Sequence, residues 1–180
     1  MEFHNGPIYD GEHEIKIVIP KAYPDDLIHI FLSNIPDKME HIYNDKSICM
    51  ATISEQVIYL QERPSLGQYL EKFLDPFIYS IEYFREYGIY PFGERAHGYK
   101  GSMSYFMEEW SLTKNQIVEL FIIVSKNKYR GHRFCFCGSG EITRNCHGAK
   151  LLPILKNSQL HEYFLQDLFR IVDGVCDEKK

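Results

Sequence analysis

The sequence lacks the features that mark several broad classes of protein. No apolar run approaches the roughly 20 residues of a membrane-spanning helix, so a membrane span is not expected. Residues 1–11 contain no basic stretch followed by an apolar one, so no secretory signal peptide is predicted and the expected location is cytoplasmic. A phosphate-cradling Gly-x-x-x-x-Gly-Lys motif is missing, which predicts that the chain does not activate its own substrate with ATP.

The chain also has fewer basic residues than acidic ones. The 180 residues include 20 lysines and arginines against 25 aspartates and glutamates, so the formal net charge is −5. Proteins that bind nucleic acid over their whole surface are usually basic, so nucleic acid is not expected as a partner for the body of the chain. The composition is 44% apolar and 25% charged, which is typical of a globular protein with a core.

The hydrophobic pattern predicts an α+β fold. Ile15, Ile17 and Ile19 alternate with other residues as in a half-buried strand, and residues 27–32 have a similar alternating component. Short turns that contain proline follow these two segments, and this favours an antiparallel meander. Residues 57–60 form a further β-rich patch within an irregular region.

Two capping boxes mark the starts of helices. Ser65 is followed three residues later by Gln68, and Thr113 by Gln116, so each pair can satisfy free amide groups at a helix N-terminus. Gly88 is a natural stop for the first of these helices. The expected helices cover residues 65–88, 113–125 and 158–172, with a glycine-rich loop over residues 89–101.

Three of the five cysteines crowd into a short segment. Cys135, Cys137, Cys146 and His147 give the spacing C-x-C-x8-C-H, which supplies the three thiolates and one imidazole of a tetrahedral zinc site. The two glycines that follow the first pair let the backbone fold tightly. Four protein ligands leave no open position for water, so the predicted Zn²⁺ is structural.

This cysteine segment resembles the SEC-C motif, whose pattern is C-x-C-G-S-G followed by C-H or C-C. The resemblance implies a compact zinc knuckle that docks to partners. From residue 126 to residue 156 the chain has seven basic residues and one acidic residue, a net charge of +6. Nucleic acid and an acidic protein surface are therefore both open as partners of the knuckle, beside the plain alternative of a solvated face.

Cys49 stands alone, far upstream of the cluster. A first strand ending at Pro20, a Tyr-Pro turn at residues 23–24, a second strand and His41 lead to the sequence Asp-Lys-Ser-Ile-Cys-Met at residues 45–50. This order, closed by a proline-preceded helix, resembles the core of the ubiquitin-conjugating enzymes over residues 6–87. In that family a G-x-I-C-L signature holds the active cysteine.

The resemblance implies an acyl-transfer role for three residues. Cys49 would form a thioester with the C-terminus of a partner protein and pass it to an amine, since a thiolate is both a good nucleophile and a good leaving group. His41 would order the loop before Cys49. His97, in the glycine-rich loop, is the candidate base for the attacking amine, because imidazole titrates near neutral pH.

Departures from the family pattern point to a particular branch. The N-terminal helix is missing, Asn44 comes one residue late for the family's His-Pro-Asn, Lys46 replaces a glycine, and the only tryptophan is Trp110. Shortened, stand-alone bacterial relatives occur in antiphage operons of the CBASS type. The partner implied is the cGAS-like nucleotidyltransferase encoded beside them, with an amine acceptor on a protein or another molecule.

These interpretations divide the chain into two predicted domains. Residues 1–125 would form the ubiquitin-conjugating-like domain, and residues 126–180 the SEC-C-like zinc module with a C-terminal helix. Two alternatives stay open. In one, the chain is a non-catalytic adaptor that scaffolds a partner and Cys49 is inert. In the other, Cys49 and His97 form a cysteine hydrolase.

Overall fold

The computed structural model describes residues 9, 11–36, 41–91, 96 and 98–177. This part of the chain has α+β structure, as predicted, with a small antiparallel sheet and six α-helices. No helix among the described residues is both long and apolar enough to cross a membrane. The elements in chain order are β1 (Ile15–Val18), β2 (His29–Leu32), α1 (Ile53–Leu60), α2 (Leu66–Tyr87), α3 (Gly98–Glu109), α4 (Lys114–Ser125), a 3-10 turn (Thr143–Asn145), α5 (Gly148–Lys156) and α6 (Ser158–Asp177).

The chain divides into two compact units, and the first contains the sheet. This unit gathers the described residues within 1–19, 28–50 and 65–95. Strand β1 pairs antiparallel with β2, so that Ile15 lies opposite Leu32. The Ile48 amide donates to the Ile30 carbonyl at 2.8 Å, which ties the segment before Cys49 to β2. The described sheet has two strands, and the wider meander of a ubiquitin-conjugating core stays a prediction.

Helix α2 also belongs to the first unit and has the predicted ends. The Ser65 amide donates to the Gln68 side chain at 2.9 Å, and the Gln68 amide donates to the Ser65 hydroxyl at 3.3 Å. Gly88 ends the helix in the left-handed conformation, with φ of 69°. The helix continues through Pro76. Its buried side chains recur at helical spacing, at Tyr69, Phe73, Leu74, Phe77 and Ile81.

The second unit is helical, and α6 lies at its centre. It gathers the described residues within 20–27, 51–64 and 96–180. Helix α6 contacts α1, α3, α4 and α5. A Cβ atom added to Gly174 would lie 2.5 Å from the ring of Tyr99, so α6 and α3 approach closely there. The apolar residues of α6 that recur at helical spacing are at most 2% exposed, at Leu160, Phe164, Leu168 and Ile171.

A buried carboxylate joins three helices of this second unit. Asp167 on α6 accepts from the Ser54 amide at 3.0 Å and from the Ser54 hydroxyl at 2.6 Å, at the start of α1. It also accepts from the Ser102 hydroxyl of α3 at 2.8 Å. A buried charge is tolerated where it is hydrogen-bonded in this way, so Asp167 links α1, α3 and α6.

Two local predictions were wrong, and one helix was not predicted. Residues 57–60 are helical because Thr52 caps α1, accepting from the Glu55 amide at 3.1 Å, and because Val57 and Leu60, three apart, are both buried. Their β-branched and aromatic character is thus overridden by the cap and by core packing. Helix α3 begins at Gly98, inside the predicted loop, and α5 was not predicted at all.

Candidate metal centre

The first ligand pair lies in a tight loop shaped by two glycines. Gly138 and Gly140 have φ of 75° and 82°, in the left-handed region that favours glycine. The Gly138 amide donates to the Cys135 carbonyl at 3.1 Å, and the Cys135 amide donates to the Glu141 carbonyl at 2.8 Å. The chain therefore turns back immediately after Cys137, and this leaves Cys135 and Cys137 in one loop, as their spacing predicts.

The second ligand pair lies where the 3-10 turn meets α5. The Cys146 amide donates to the Thr143 carbonyl at 3.1 Å, and His147 directly precedes α5. A Cβ atom at Gly148 would clash with the Thr143 carbonyl and the Tyr129 hydroxyl, so only glycine allows this approach. These bonds present Cys146 and His147 side by side.

The two pairs converge on one small volume. The ligand atoms of Cys135, Cys137, Cys146 and His147 all lie within 4.8 Å of one another. The Cys137 and Cys146 sulfurs are 3.5 Å apart. His147 Nδ1 lies 3.2 Å from the Cys146 sulfur and 3.5 Å from the Cys135 sulfur. Zinc bonds of about 2.0–2.3 Å place neighbouring tetrahedral ligands about 3.5 Å apart, so these residues fit a single ion.

Trp110 orients the imidazole of His147. His147 Nε2 lies 2.9 Å from the Trp110 carbonyl oxygen. A carbonyl can only accept, so Nε2 carries the proton and Nδ1 is left with the lone pair that binds a metal. The Trp110 ring also stacks on the imidazole, with centroids 5.3 Å apart and planes at 29°. Phe136 packs against the imidazole at 5.3 Å.

Gln116 supports the cysteine loop while it caps α4. The predicted capping box is present, with the Thr113 amide donating to the Gln116 side-chain oxygen at 2.8 Å. The side-chain nitrogen of Gln116 donates to the Cys137 carbonyl at 2.7 Å. We call residues 135–141 the metal loop. The start of α4 therefore holds the metal loop through the same side chain that stabilises the helix.

The thiols differ in how readily they ionise. Burial raises the pKa of Cys135 to about 11. Burial acts in the same direction on Cys137, but hydrogen bonds from Ser139, Cys146 and Cys135 outweigh it and lower the pKa of Cys137 to about 6. A bound cation would hold both as thiolates, because a metal ligand must be deprotonated.

The contribution of Trp110 had no signal in the sequence. Trp110 lies 37 residues before His147, and it acts through its backbone carbonyl, which every residue type has. Gln116 was predicted as a cap, but its bond to the loop depends on how α4 packs. The four residues that could hold a metal ion were picked out from their residue types and spacing, and the structure brings them together.

The loop before Cys49 is ordered by backbone pairing. The Cys49 amide donates to the His41 carbonyl at 2.8 Å, and Ile42 and Ile48 form an isolated antiparallel bridge. The Tyr43 amide donates to the Ser47 carbonyl at 2.8 Å, which closes a turn over residues 43–47. Cys49 itself is partly exposed.

Within this turn, Lys46 and Asp45 have distinct roles. Lys46 has φ of 73°, so it adopts the left-handed conformation at the position where the family signature has glycine. Asp45 accepts from the Ser47 hydroxyl at 2.6 Å and the Ser47 amide at 2.9 Å, and it lies 3.0 Å from His29 Nδ1. The Ser47 bonds, with a smaller contribution from His29, hold the pKa of Asp45 below its usual value.

Of the three other residues considered around Cys49, the structure describes His41 and Asn44. The His41 ring packs edge-on against Phe77 and Tyr90, with centroids 6.1 and 5.7 Å apart. Asn44 is exposed, within the turn over residues 43–47. His97 lies outside the described residues. The catalytic roles of Cys49, His41 and His97 therefore stay predictions, as does the domain division at residues 125/126.

Comparisons of the chain with protein-family models, with curated proteins and with solved structures find no match. The geometry of the two cysteine loops is therefore the basis for any function assigned to the chain.

Proposed function

We propose that Cys135, Cys137, Cys146 and His147 bind one Zn²⁺ as a closed structural site. The observation that carries this proposal is the convergence of four ligand atoms within 4.8 Å. Three sulfurs and one imidazole nitrogen suit zinc, which prefers tetrahedral sulfur and nitrogen ligands and has no redox chemistry of its own. The ion would tie the loop after Phe134 to the start of α5.

Metal analysis tests this zinc proposal. Native mass spectrometry of the purified chain should give one zinc per chain. Cys137→Ser and His147→Ala should each reduce the zinc content, whereas Cys49→Ser, which alters a cysteine of the other unit, should leave it unchanged. Stoichiometric iron, or no bound metal in the natural protein, would contradict the proposal.

We further propose that Cys49 is the nucleophile of an acyl transferase similar to the ubiquitin-conjugating enzymes. The thiolate would attack an activated carboxyl group at the C-terminus of a donor protein, an acyl adenylate or a thioester, and would expel its leaving group. An amine would then attack the Cys49 thioester, forming the C–N bond as the C–S bond breaks and the thiol re-forms. The partly exposed thiol and the ordered turn before it support this role.

The left-handed Lys46 adds to that support. The signature glycine of the family suits a left-handed residue, and Lys46 adopts this conformation although it has a Cβ atom. The donor that the resemblance implies is a cGAS-like nucleotidyltransferase in bacterial antiphage defence. His41 would order the loop through the carbonyl that accepts from the Cys49 amide.

Adduct trapping tests the acyl-transfer proposal. The chain would be incubated with a cGAS-like nucleotidyltransferase whose C-terminal carboxyl group has been activated. The natural protein should form an adduct that a thiol reagent cleaves. Cys49→Ser should give an adduct that resists the reagent, because an oxyester is less reactive toward thiols. Identical products from the natural protein and Cys49→Ala would contradict the acyl-transfer proposal.

One observation favours the adaptor alternative. The His41 ring packs against two aromatic rings, an environment suited to a structural histidine. An inert Cys49 would then belong to a zinc-stabilised scaffold. The rate of alkylation separates the two candidates, because a reactive thiol has a pKa below the ~8.5 of a free cysteine and reacts quickly. Slow alkylation of Cys49 would favour the adaptor.

A further inference from the structure

An exposed aromatic ring lies among arginines beside the metal loop. Phe134 is 78% exposed, whereas Phe136, two residues later, is 8% exposed and packs on His147. The side chain of Phe134 therefore takes no part in the core of the metal loop. Arg130, Arg133 and Arg144 are exposed as well. We call Arg130, Arg133, Phe134 and Arg144 the Phe134 surface.

Backbone pairing holds the members of the Phe134 surface together. Phe134 bridges to Ile142, the Thr143 amide donates to the Arg133 carbonyl at 2.8 Å, and the Arg144 amide donates to the Gly131 carbonyl at 3.0 Å. The Arg133 amide donates to the Arg130 carbonyl at 3.1 Å, within a turn. These bonds bring the backbone segments 130–134 and 142–144 side by side, so the four residues share one small paired region.

The three arginines make this patch positive, and the segment that contains it is basic as well. Residues 126–156 have a net charge of +6, with Glu141 as their single acid. Three zinc-bound thiolates with one Zn²⁺ would change this charge by −1, so the excess would persist in the loaded protein. Among the described residues, no ion pair ends on Arg130, Arg133 or Arg144. These guanidinium groups are therefore available to an anionic partner.

We propose that the Phe134 surface binds single-stranded nucleic acid. The arginines would contact backbone phosphates, and an unpaired base would stack on the ring of Phe134. Exposed aromatic rings within a basic surface are the usual means of binding single strands, because every base has a flat face that can stack. Carboxylates of an acidic peptide would pair with the arginines only, whereas every nucleotide has both a phosphate for an arginine and a flat base for the ring, so the exposed ring favours nucleic acid.

This inference is independent of acyl transfer by Cys49. It does rest on the proposed zinc site, because the ligands Cys135 and Cys146 lie beside the paired segments that display Phe134. The excess of acid elsewhere in the chain does not oppose it, because the positive charge is concentrated in one segment.

Fluorescence anisotropy tests the proposal with the zinc-loaded full chain. The probes are labelled oligouridylate and oligodeoxyuridylate of about 20 nucleotides, which differ only in the 2′-hydroxyl and are longer than the ~4–16 nucleotides that one compact single-strand-binding domain covers. The logarithm of the binding constant should fall linearly with the logarithm of the salt concentration, as expected when phosphate counterions are released. Equal affinity for both probes would assign binding to phosphates and bases, and tighter binding of the RNA probe would add a contribution from the 2′-hydroxyl.

Matched substitutions separate the ring from the charges. Phe134→Ala should weaken binding about 5- to 100-fold, the usual effect of losing one stacked base. Arg133→Ala and Arg144→Ala should each reduce the salt slope by about 0.7. The controls lie on α6, at exposed positions outside the patch: Phe169→Ala and Arg170→Ala should bind as the natural protein does.

Three outcomes would overturn this inference. The first is no binding by a chain that contains zinc. The second is that Phe134→Ala and Phe169→Ala both bind the oligonucleotides with the affinity of the natural protein. The third is tighter binding of polyglutamate than of either oligonucleotide, which would assign the surface to an acidic protein. Zinc content is measured for every variant, so that a failed metal site is recognised separately from a failed binding surface.

Discussion

Two loops of this protein present cysteines, and different groups hold each of them. The side chains of the loop that carries Cys135 and Cys137 converge with those of Cys146 and His147. The Gln116 side chain, at the start of α4, supports this loop, and the Trp110 carbonyl, just after α3, supports His147. The loop before Cys49 is held by its own backbone pairs and by Asp45. A shared ion would order the first loop, whereas the second needs none. Metal dependence should therefore differ sharply between them.

Loss of the metal should have the largest effect. We expect chelation, or Cys137→Ser, to remove several kcal/mol of stability from the helical unit, since zinc contributes on the order of 10 kcal/mol to small zinc domains. Thermal unfolding followed by circular dichroism measures the change. Cys49→Ser is the matched control and should cost less than about 1 kcal/mol. An unchanged melting temperature after chelation would contradict the expected difference in metal dependence between the two loops.

Truncation of Trp110 should have the next largest effect. Trp110 is 2% exposed and packs on Phe106, Phe164 and the His147 ring. Trp110→Ala would leave a cavity and should cost about 3–5 kcal/mol, by urea unfolding. It should also weaken zinc binding, because the segment whose carbonyl orients His147 would shift. Trp110→Phe keeps an aromatic ring beside His147 and should retain most of the affinity. Equal zinc affinity in all three proteins would contradict this coupling.

A pair of glutamines sharpens the comparison further. Gln116 and Gln68 occupy the same position in their capping boxes, but only Gln116 donates to a carbonyl of the metal loop. Each change to alanine should cost about 1 kcal/mol of stability through the lost cap. Gln116→Ala should in addition weaken zinc binding about 10-fold, the usual effect of losing a group that supports a ligand. Competition with a chelator measures the affinity, and equal loss in both variants would refute the role of Gln116.

The smallest effect concerns the pH dependence of the Cys49 loop. The pKa of Asp45 is lowered by the bonds from Ser47 and His29, so the folded value lies below the unfolded one. Its stabilisation is complete above about pH 4 and is lost as the pH falls through the folded value. The stability difference between the natural protein and Asp45→Asn should therefore shrink in acid, by urea unfolding. Asp75→Asn, at an exposed position of α2, is the control. A difference that grows in acid would contradict the assignment.

Residues that act on near neighbours were the easiest to predict. The capping boxes at Ser65 and Thr113 were found because each bond joins residues three apart. The four residues of the candidate metal centre were found because their chemistry and spacing are typical of a zinc site, and the structure places them together. Residues 57–60 were misread, because β-branched and aromatic residues suit a strand, whereas the cap at Thr52 and the core make them helical.

The sequence by itself determined the α+β class, the ends of α2 and α4, and the identity of the four residues of the candidate metal centre. Each of these follows from residue types within a short segment. Only the tertiary structure decided that the Trp110 carbonyl orients His147, that Gln116 braces the metal loop, and that Phe134 is exposed while Phe136 is buried. These depend on how distant segments pack, and a backbone carbonyl or a ring has no sequence pattern that reveals its neighbours.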